Sequence, residues 1–324
     1  MICNLIIDGN YLLNKNVFTL HKNNLLFGAL YQSLENSIQN YRRWYPFAKI
    51  YLVSDSKEKS WRKKLNANYK STRKKNDEIN WEFVHQTYND FKRNVTGVKV
   101  LEYPTIEGDD WISFIVEMSN KSGISNVIVS NDYDIKQLIS YRLDPLYINI
   151  MSNEMMNKQK IFLPKNYQIF RDKLSKTLDS DDIFNLNDNG DFIKMLDNFV
   201  DKYEVVTADP LESLIVKVIS GDSSDNISPV WQIVKNNKKR GIGEKGAKDI
   251  FIQYVEEFGE PKMNDPDLNE NIADLICEKK KLSKLNIEPI KENISKNIKL
   301  IHLDLNNIPN QIVEKMKEVY VKSI

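Results

Sequence analysis

Four short apolar runs, each followed by acidic residues and alternating with helical patterns, constrain this chain more than any other feature. The runs are Leu5-Ile6-Ile7, Ile50-Tyr51-Leu52-Val53, Val98-Lys99-Val100-Leu101 and Val127-Ile128-Val129. They are rich in β-branched residues and bounded by polar turns, as strands are. Leu25 to Tyr45, Gly108 to Ser119 and Ile135 to Ile139 place apolar residues at helical spacing. This alternation predicts an α/β fold with a mostly parallel central sheet flanked by helices, since near-continuous apolar strands need cover on both faces. From Leu211 onward the pattern turns mostly helical, with Ile298 to Leu305 read as a strand and Gln311 to Tyr320 as a helix. A chain of 324 residues suits this two-part division.

The acids fall where such a sheet would bring them together. Asp8 follows the first run, Asp55 the second, Glu107, Asp109 and Asp110 the third, and Asp132 and Asp134 the fourth. The carboxyl ends of parallel strands share one edge, where ligands bind. A lone Asp after a strand is ordinarily a turn residue or a helix cap. Four strand ends together mean carboxylates that repel one another unless a cation holds them. With only Cys3 and Cys277 as cysteines and His21, His85 and His302 as histidines, zinc fingers and thiol redox motifs are excluded. All-oxygen ligation selects Mg²⁺ or Mn²⁺, and two groups of carboxylates suggest two ions, an arrangement suited to phosphodiester cleavage. A further acidic motif, Gly221-Asp222-Ser223-Ser224-Asp225-Asn226, follows an apolar helix.

Net charge is only +1, but the basic residues cluster. Between Ser56 and Asn76 stand Lys57, Lys59, Arg62, Lys63, Lys64, Lys70, Arg73, Lys74 and Lys75 against Glu58 alone. Trp61 and Tyr69 lie among them and Trp81 follows, and aromatics that stack on bases beside cations that hold phosphates are typical of single-strand binding. Lys70 and Arg73, three apart, would share a face if helical. A second basic cluster, Lys235, Lys238, Lys239, Arg240, Lys245 and Lys248, surrounds Gly241-Ile242-Gly243, a turn that lets backbone N–H groups approach a phosphate. No run is long enough for a signal-peptide core or a spanning helix, so the expectation is a cytoplasmic protein with no membrane partner.

Taken in order, Leu5 to Asp8, Glu107-Gly108-Asp109-Asp110, Ser130 to Asp134, Gly221 to Asn226 and Gly241 to Lys245 resemble the 5′-nuclease (flap endonuclease) family. The likeness is to its PIN-like members, in the branch that includes the RNase H of T-even bacteriophages. The resemblance implies a Mg²⁺-dependent 5′→3′ exonuclease and flap endonuclease, with RNase H activity, that removes RNA primers and adjacent DNA in lagging-strand replication. It implies that Asp8, Asp55, Glu107 and Asp109, with Asp110 nearby, hold a first ion, and that Asp132, Asp134, Asp222 and Asp225 serve a second. Mn²⁺ would substitute for Mg²⁺. Lys70 and Arg73 would contact the scissile phosphate, Asp132 would count with the catalytic residues, and Tyr69 would help position substrate. Arg62 and Lys63 would open a basic arch over residues 56–90 within an α/β nuclease domain, 1–178.

An acidic insertion would occupy 179–209, with a helix over Phe192 to Phe199, and a smaller helical DNA-binding domain 210–324. Within the latter, a helix–hairpin–helix variant near 222–258 would grip duplex backbone through Lys238, Lys239, Arg240, Gly241, Gly243, Lys245 and Lys248. The implied partners are DNA and RNA–DNA hybrid carrying a 5′ single-stranded end, with a single-stranded-DNA-binding protein and a sliding clamp as further partners of a monomer. With the first strand almost at the start of the sequence, the expectation is that no N-terminal tail docks that clamp. Three departures stand out: Trp231 to Lys239 intervenes before the glycine turn, Gly108 replaces a usual Ala, and the insertion has no assigned role. The main alternative is a non-catalytic DNA-binding replication scaffold, against which the complete acid set argues. A phosphatase with Asp8 as nucleophile lacks the second Asp, since Asn10 stands there; a toxin-like ribonuclease is disfavoured by the helical second part.

Overall fold

A computed structural model describes residues 3–73, 76–155, 158–178, 202–235 and 238–323. They form two compact units, one of residues 1–60, 76–208 and 309–324, the other of 61–75 and 209–308.

The first unit is built on a sheet whose central strand, β1 (Cys3–Asp8), is buried along its whole length. β1 pairs in parallel with β2 (Ala48–Val53) and β4 (Ser125–Val129), and β2 with β3 (Lys99–Leu101). Beyond β4 the sheet continues through β6 (Leu146–Met155), β7 (Lys158–Pro164) and β8 (Glu204–Ala208), in the order β3-β2-β1-β4-β6-β7-β8. β5 (Ser140–Leu143) runs antiparallel to the start of β6, and β7 antiparallel to its end. The four sequence-predicted strands are therefore β1 to β4, all parallel. Residues 204–208, assigned by sequence to the insertion, instead form β8, because Val205 to Ala208 extend the ladder on β7. The expected insertion over 179–201, with its helix at Phe192 to Phe199, lies outside the described residues.

Alternation along the strands sends Leu5, Ile7, Leu52, Val127 and Val129 into one core with helices Gly9–Lys22, Leu26–Trp44 and Trp81–Asn94. Helix Gly108–Lys121 packs on β1, β2 and β4 and buries Trp111, Ile112, Phe114 and Ile115 completely. Burying each such side chain stabilises the fold by about 1.5–3 kcal/mol. Tyr320, on the terminal helix Asn310–Ser323, stacks on Tyr51 with centroids 6.0 Å apart. A buried amide chain crosses the sheet: Asn4 Nδ2 donates to Asn126 Oδ1 (3.1 Å) and Asn126 Nδ2 to Asn149 Oδ1 (2.7 Å). A one-residue slip would strand these groups without partners, so the chain specifies register as well as stability.

The basic arch expected over 56–90 is divided. Its last part is helix Trp81–Asn94, whose Val84, Tyr88 and Phe91 enter the first unit's core, whereas 61–75 belongs to the second unit. Ile135 to Ile139 is a 3₁₀ turn, Tyr133–Leu138, that stops where the Ile139 N–H donates to Lys136.

The second unit starts from a sequence with strong terminators. Asp209 accepts from the N–H groups of Leu211 and Glu212 (3.1 and 3.0 Å), Pro210 occupies the first turn, and helix Pro210–Ser220 ends at Gly221 with φ +72°. Its apolar face shares a core with helices Glu244–Phe258, Leu268–Lys280 and Ile287–Ile301. Residues 298–301 are helical, not the strand read from sequence, because Ile290, Ile294 and Ile301 continue one buried stripe. The intervening Trp231 to Lys239 is mostly a β-hairpin, β9 (Gln232–Lys235) against β10 (Lys238–Gly241), which precedes the Gly243-capped helix. No helix among the described residues is long and apolar enough to cross a membrane.

Candidate functional site

In the first unit the carboxyl ends of β1, β2 and β4 carry Asp8, Asp55 and Asp132 on one edge. Asp8 is buried at the end of the central strand, and each oxygen is engaged. Oδ1 accepts from the N–H groups of Asn10 and Tyr11 (3.0 and 3.1 Å), capping the following helix, and Oδ2 accepts from the Ser130 hydroxyl at 2.7 Å. Ser130 Oγ also accepts from the Asp132 N–H (3.0 Å), and Asp132 Oδ1 caps the next turn by accepting from the Asp134 N–H (2.9 Å). Asp55 Oδ1 accepts from the Gly108 N–H at 2.6 Å, and Asp110 Oδ2 from the Glu107 N–H at 3.1 Å. Asp109 lies in the first turn of that same helix. The capping and turn reading of these acids and their clustering thus hold together: caps are what aim several of the side chains.

The crowding has an electrostatic signature. Burial pushes the Asp8 carboxyl up to about 6, with Asp55 and Asp132 adding like-charge repulsion, while bonds from Ser130 and Tyr11 pull the other way. The Tyr88 phenol, bonded to Ser54 Oγ at 2.9 Å, is driven up by burial and then by Asp8, Glu102 and Asp55. Among the described residues, no three His, Cys, Asp or Glu side chains close on one point as metal ligands would. The donor set is nevertheless all oxygen, and its central member gains from an added positive charge. In that chemistry it fits a hard divalent cation.

A Cβ at Gly108 would stand 3.3 Å from Asp55 Oδ1, so an alanine there would ask the Asp55 side chain to give by a few tenths of an ångström. Ser54, Ser130 and Tyr88 were missed by sequence reasoning. Ser130, two residues before Asp132 at a strand end, was the one with a local signal; Tyr88 comes from a distant helix and had none.

The second unit gathers a different set. Asp222 Oδ2 pairs with Lys217 Nζ at 2.8 Å, and its Oδ1 accepts from the Ser224 N–H and hydroxyl (2.8 and 2.7 Å). Burial alone would raise the Asp222 carboxyl, but Lys217 and Ser224 outweigh it and hold the group below the usual carboxylate range. The Asp225 carboxylate pairs with Arg73 at 2.5 Å, and its carbonyl accepts from the Lys70 N–H at 2.9 Å. Asn226 Nδ2 donates to the Asn68 carbonyl (3.0 Å). The basic segment is therefore laced to the Gly221–Asn226 loop. Lys217 was not anticipated, although its position five residues before Asp222 at a helix end could have suggested it.

The expected helix through Lys70 and Arg73 is replaced by turns, with Lys70 at φ +54°. The expected stacking aromatics are largely inside: Trp61 and Tyr69 are both 3% exposed, and Tyr69 lies in the second unit's core with Lys70 Nζ 5.1 Å above its ring. Arg62 is equally buried, its Nε donating to the Leu300 carbonyl at 3.0 Å. Lys63 is half-buried. Of the hairpin group, Arg240, Gly241, Gly243 and Lys245 are exposed, and Lys248 pairs with Glu212 at 2.6 Å. Lys238 and Lys239 lie on β10.

Comparison with known proteins gives this arrangement a family. Residues 4–168 match the model of the 5′-3′ exonuclease N-terminal resolvase-like domain. A 5′-3′ exonuclease of Aquifex aeolicus is 24% identical over 311 residues, covering 90% of this chain and 94% of the relative. One from Buchnera aphidicola subsp. Schizaphis graminum is 30% identical over 162 residues, 48% of this chain and 55% of the relative. Against the Buchnera relatives, then, the match spans about half of their length. A structure of bacteriophage T5 5′-exonuclease with divalent metal ions (zinc) superposes with TM-score 0.60 at 16% identity, covering 99% of both chains. A T5 flap endonuclease in a pseudo-enzyme–product complex with DNA and metal ions gives 0.59 at 16%, covering 98% of both. With its strand-end acids set in a mostly parallel sheet of the same fold, the chain belongs to the 5′-3′ exonuclease family through its resolvase-like N-terminal domain.

Proposed function

We propose that the protein is a Mg²⁺-dependent 5′→3′ exonuclease and flap endonuclease that hydrolyses phosphodiester bonds of RNA–DNA primers and 5′-flap or nicked DNA in lagging-strand replication. The observation that carries this reading is Asp8: a buried carboxylate at the end of the central strand, pushed up to about 6 by burial and by Asp55 and Asp132. Such a group is poised for a cation. Asp8, Asp55, Glu107 and Asp109 would hold one ion, Asp110 keeping the Glu107 turn in place, and Asp132, Asp134, Asp222 and Asp225 would serve another; Mn²⁺ would substitute. Divalent ions of this class supply Lewis acidity and an easily deprotonated water to phosphodiester cleavage.

The chain's own residues do the rest. Ser130 fixes Asp8 and Asp132 at once, through a donated and an accepted hydrogen bond. Lys70 and Arg73 present positive charge to the substrate phosphate, where charge grows during cleavage. The Asp225 contacts pre-position both residues, limiting the ordering cost on binding. The turn from Gly241 to Lys245, between β10 and the following helix and exposed apart from Ile242, would offer backbone N–H groups and Lys245 to a duplex backbone, without reading bases.

The test uses a 5′-labelled RNA–DNA primer on a DNA template and a 5′-flap duplex, each with Mg²⁺, with EDTA and with Asp132→Asn protein. Short 5′ products that need both metal and Asp132 are expected, and the ratio of rates ranks the substrates. Intact strands that are nonetheless bound would move the protein to the non-catalytic scaffold class. Lys70→Ala should cut turnover far more than duplex binding; equal losses in both would remove its assigned role.

A further inference from the structure

We propose that a groove of about 430 Å³ in the second unit, running along helix Ile287–Ile301 from Glu288 to Lys299 and lined also by Leu65, Pro266 and Asn269, binds the phosphodiester backbone of nucleic acid at its Lys296 and Lys299 end. This rests on the nuclease reading and adds a contact surface that the arch and the hairpin do not include.

The wall of the groove is set by a residue that sequence reasoning counted among the phosphate contacts. Arg62 is buried, its guanidinium 4.6 Å above the Trp61 ring and its Nε on the Leu300 carbonyl, so it pins the Arg62–Leu65 turn to the end of the helix. Leu65 then forms one side, and the helix offers the other. Lys296 and Lys299, three residues apart on one exposed face, have no carboxylate partner among the described residues. Beside them Asn269 Nδ2 donates to Ser295 Oγ at 2.9 Å, which leaves the serine hydroxyl its proton to donate.

The acids of the groove lie toward the other end of the helix. Lys291 pairs with Glu288 (3.3 Å) and with Glu270 (3.2 Å), and Glu292 stands one turn before Lys296. The positive end therefore coincides with the neutral donors Asn269 and Ser295. Two uncommitted ammonium groups, a hydroxyl and an apolar wall match a phosphate followed by a sugar, bound at the end of the groove away from Glu288.

Binding is read in EDTA by fluorescence anisotropy across a salt series, with a blunt duplex and with a single strand of equal length. Lys296→Ala/Lys299→Ala should weaken binding about tenfold at moderate salt and reduce the salt slope by roughly 1.8 on duplex, about 0.9 for each phosphate no longer neutralised. Lys296→Arg/Lys299→Arg should keep the wild-type slope, as should Lys315→Ala/Lys317→Ala on the terminal helix. A change on the duplex alone, or on the single strand alone, identifies which backbone the groove takes. An unchanged slope on both, in a protein whose wild type cleaves the 5′ flap in Mg²⁺, overturns the groove and leaves the nuclease reading intact. A wild type that neither binds nor cleaves overturns both.

Discussion

In EDTA at pH 8, Asp8→Asn is expected to be more stable than wild type while losing cleavage in Mg²⁺. The folded-state carboxyl lies at about 6 against 3.8 for the free group. Because the native state holds the proton more tightly, stability from this group is fully present below pH 3.8. It is lost as pH rises to about 6, and the deficit is constant above. Two units correspond to about 3 kcal/mol at most.

Asparagine keeps the cap, since its Oδ1 can accept from Asn10 and Tyr11, and its Nδ2 can donate to Ser130. Variant and wild type should therefore converge near pH 3 and separate by pH 8. A variant less stable at pH 8, or one with the same advantage at both pH values, would refute the crowding argument. Mg²⁺ should raise the wild-type midpoint by mass action and the variant's far less. If Asp8 holds the ion as proposed, turnover should fall by more than the roughly 10–100-fold that loss of an outer-shell partner costs.

The second large effect is steric. Gly221→Ala should destabilise the protein by about 2–6 kcal/mol. At φ +72° and ψ −174° the backbone is in a region glycine alone occupies without strain, at a cost of about 1–3 kcal/mol for other residues. The added Cβ would also lie 2.5 Å from the Ile227 carbonyl oxygen and 2.7 Å from Pro229 N, an overlap costing about 1–3 kcal/mol more. Those backbone atoms close the Asp222–Ile227 loop that holds Lys70 and Arg73. Hydrogen exchange at the Lys70 amide should accelerate along with the drop in denaturation midpoint. Gly243→Ala is the control, since its Cβ meets nothing within 4 Å. Equal midpoints for the two variants would show that the loop yields more easily than its geometry implies.

Both expectations depend on residues of unequal visibility in the sequence. The strand-end acids were legible because strand alternation and parallel connection place them by topology alone. Asp8, Asp55 and Asp132 needed no side-chain detail to be assigned to one edge. Gly221 stood in the sequence only as the start of an acidic motif after an apolar helix; its role as the helix stop and its intolerance of a Cβ depend on its backbone and on how close Ile227 to Pro229 return. Arg62 and Tyr69 misled, because a basic run punctuated by aromatics reads the same whether its members face solvent or core. Exposure follows from what the rest of the chain provides: Leu300 offers a carbonyl to Arg62, and the helices of the second unit enclose Tyr69.

Sequence by itself determined the α/β class, the positions of the first four strands and the acids that follow them. These depend on periodicity and local hydrogen bonding, which act over a few residues. Tertiary structure alone decided that Ser130 reaches Asp8 and that Arg73 holds Asp225. It also decided that Arg62 packs where Lys296 and Lys299 stay exposed. Several of these contacts join residues more than a hundred positions apart, and burial and pairing there are set by packing, which no local pattern encodes.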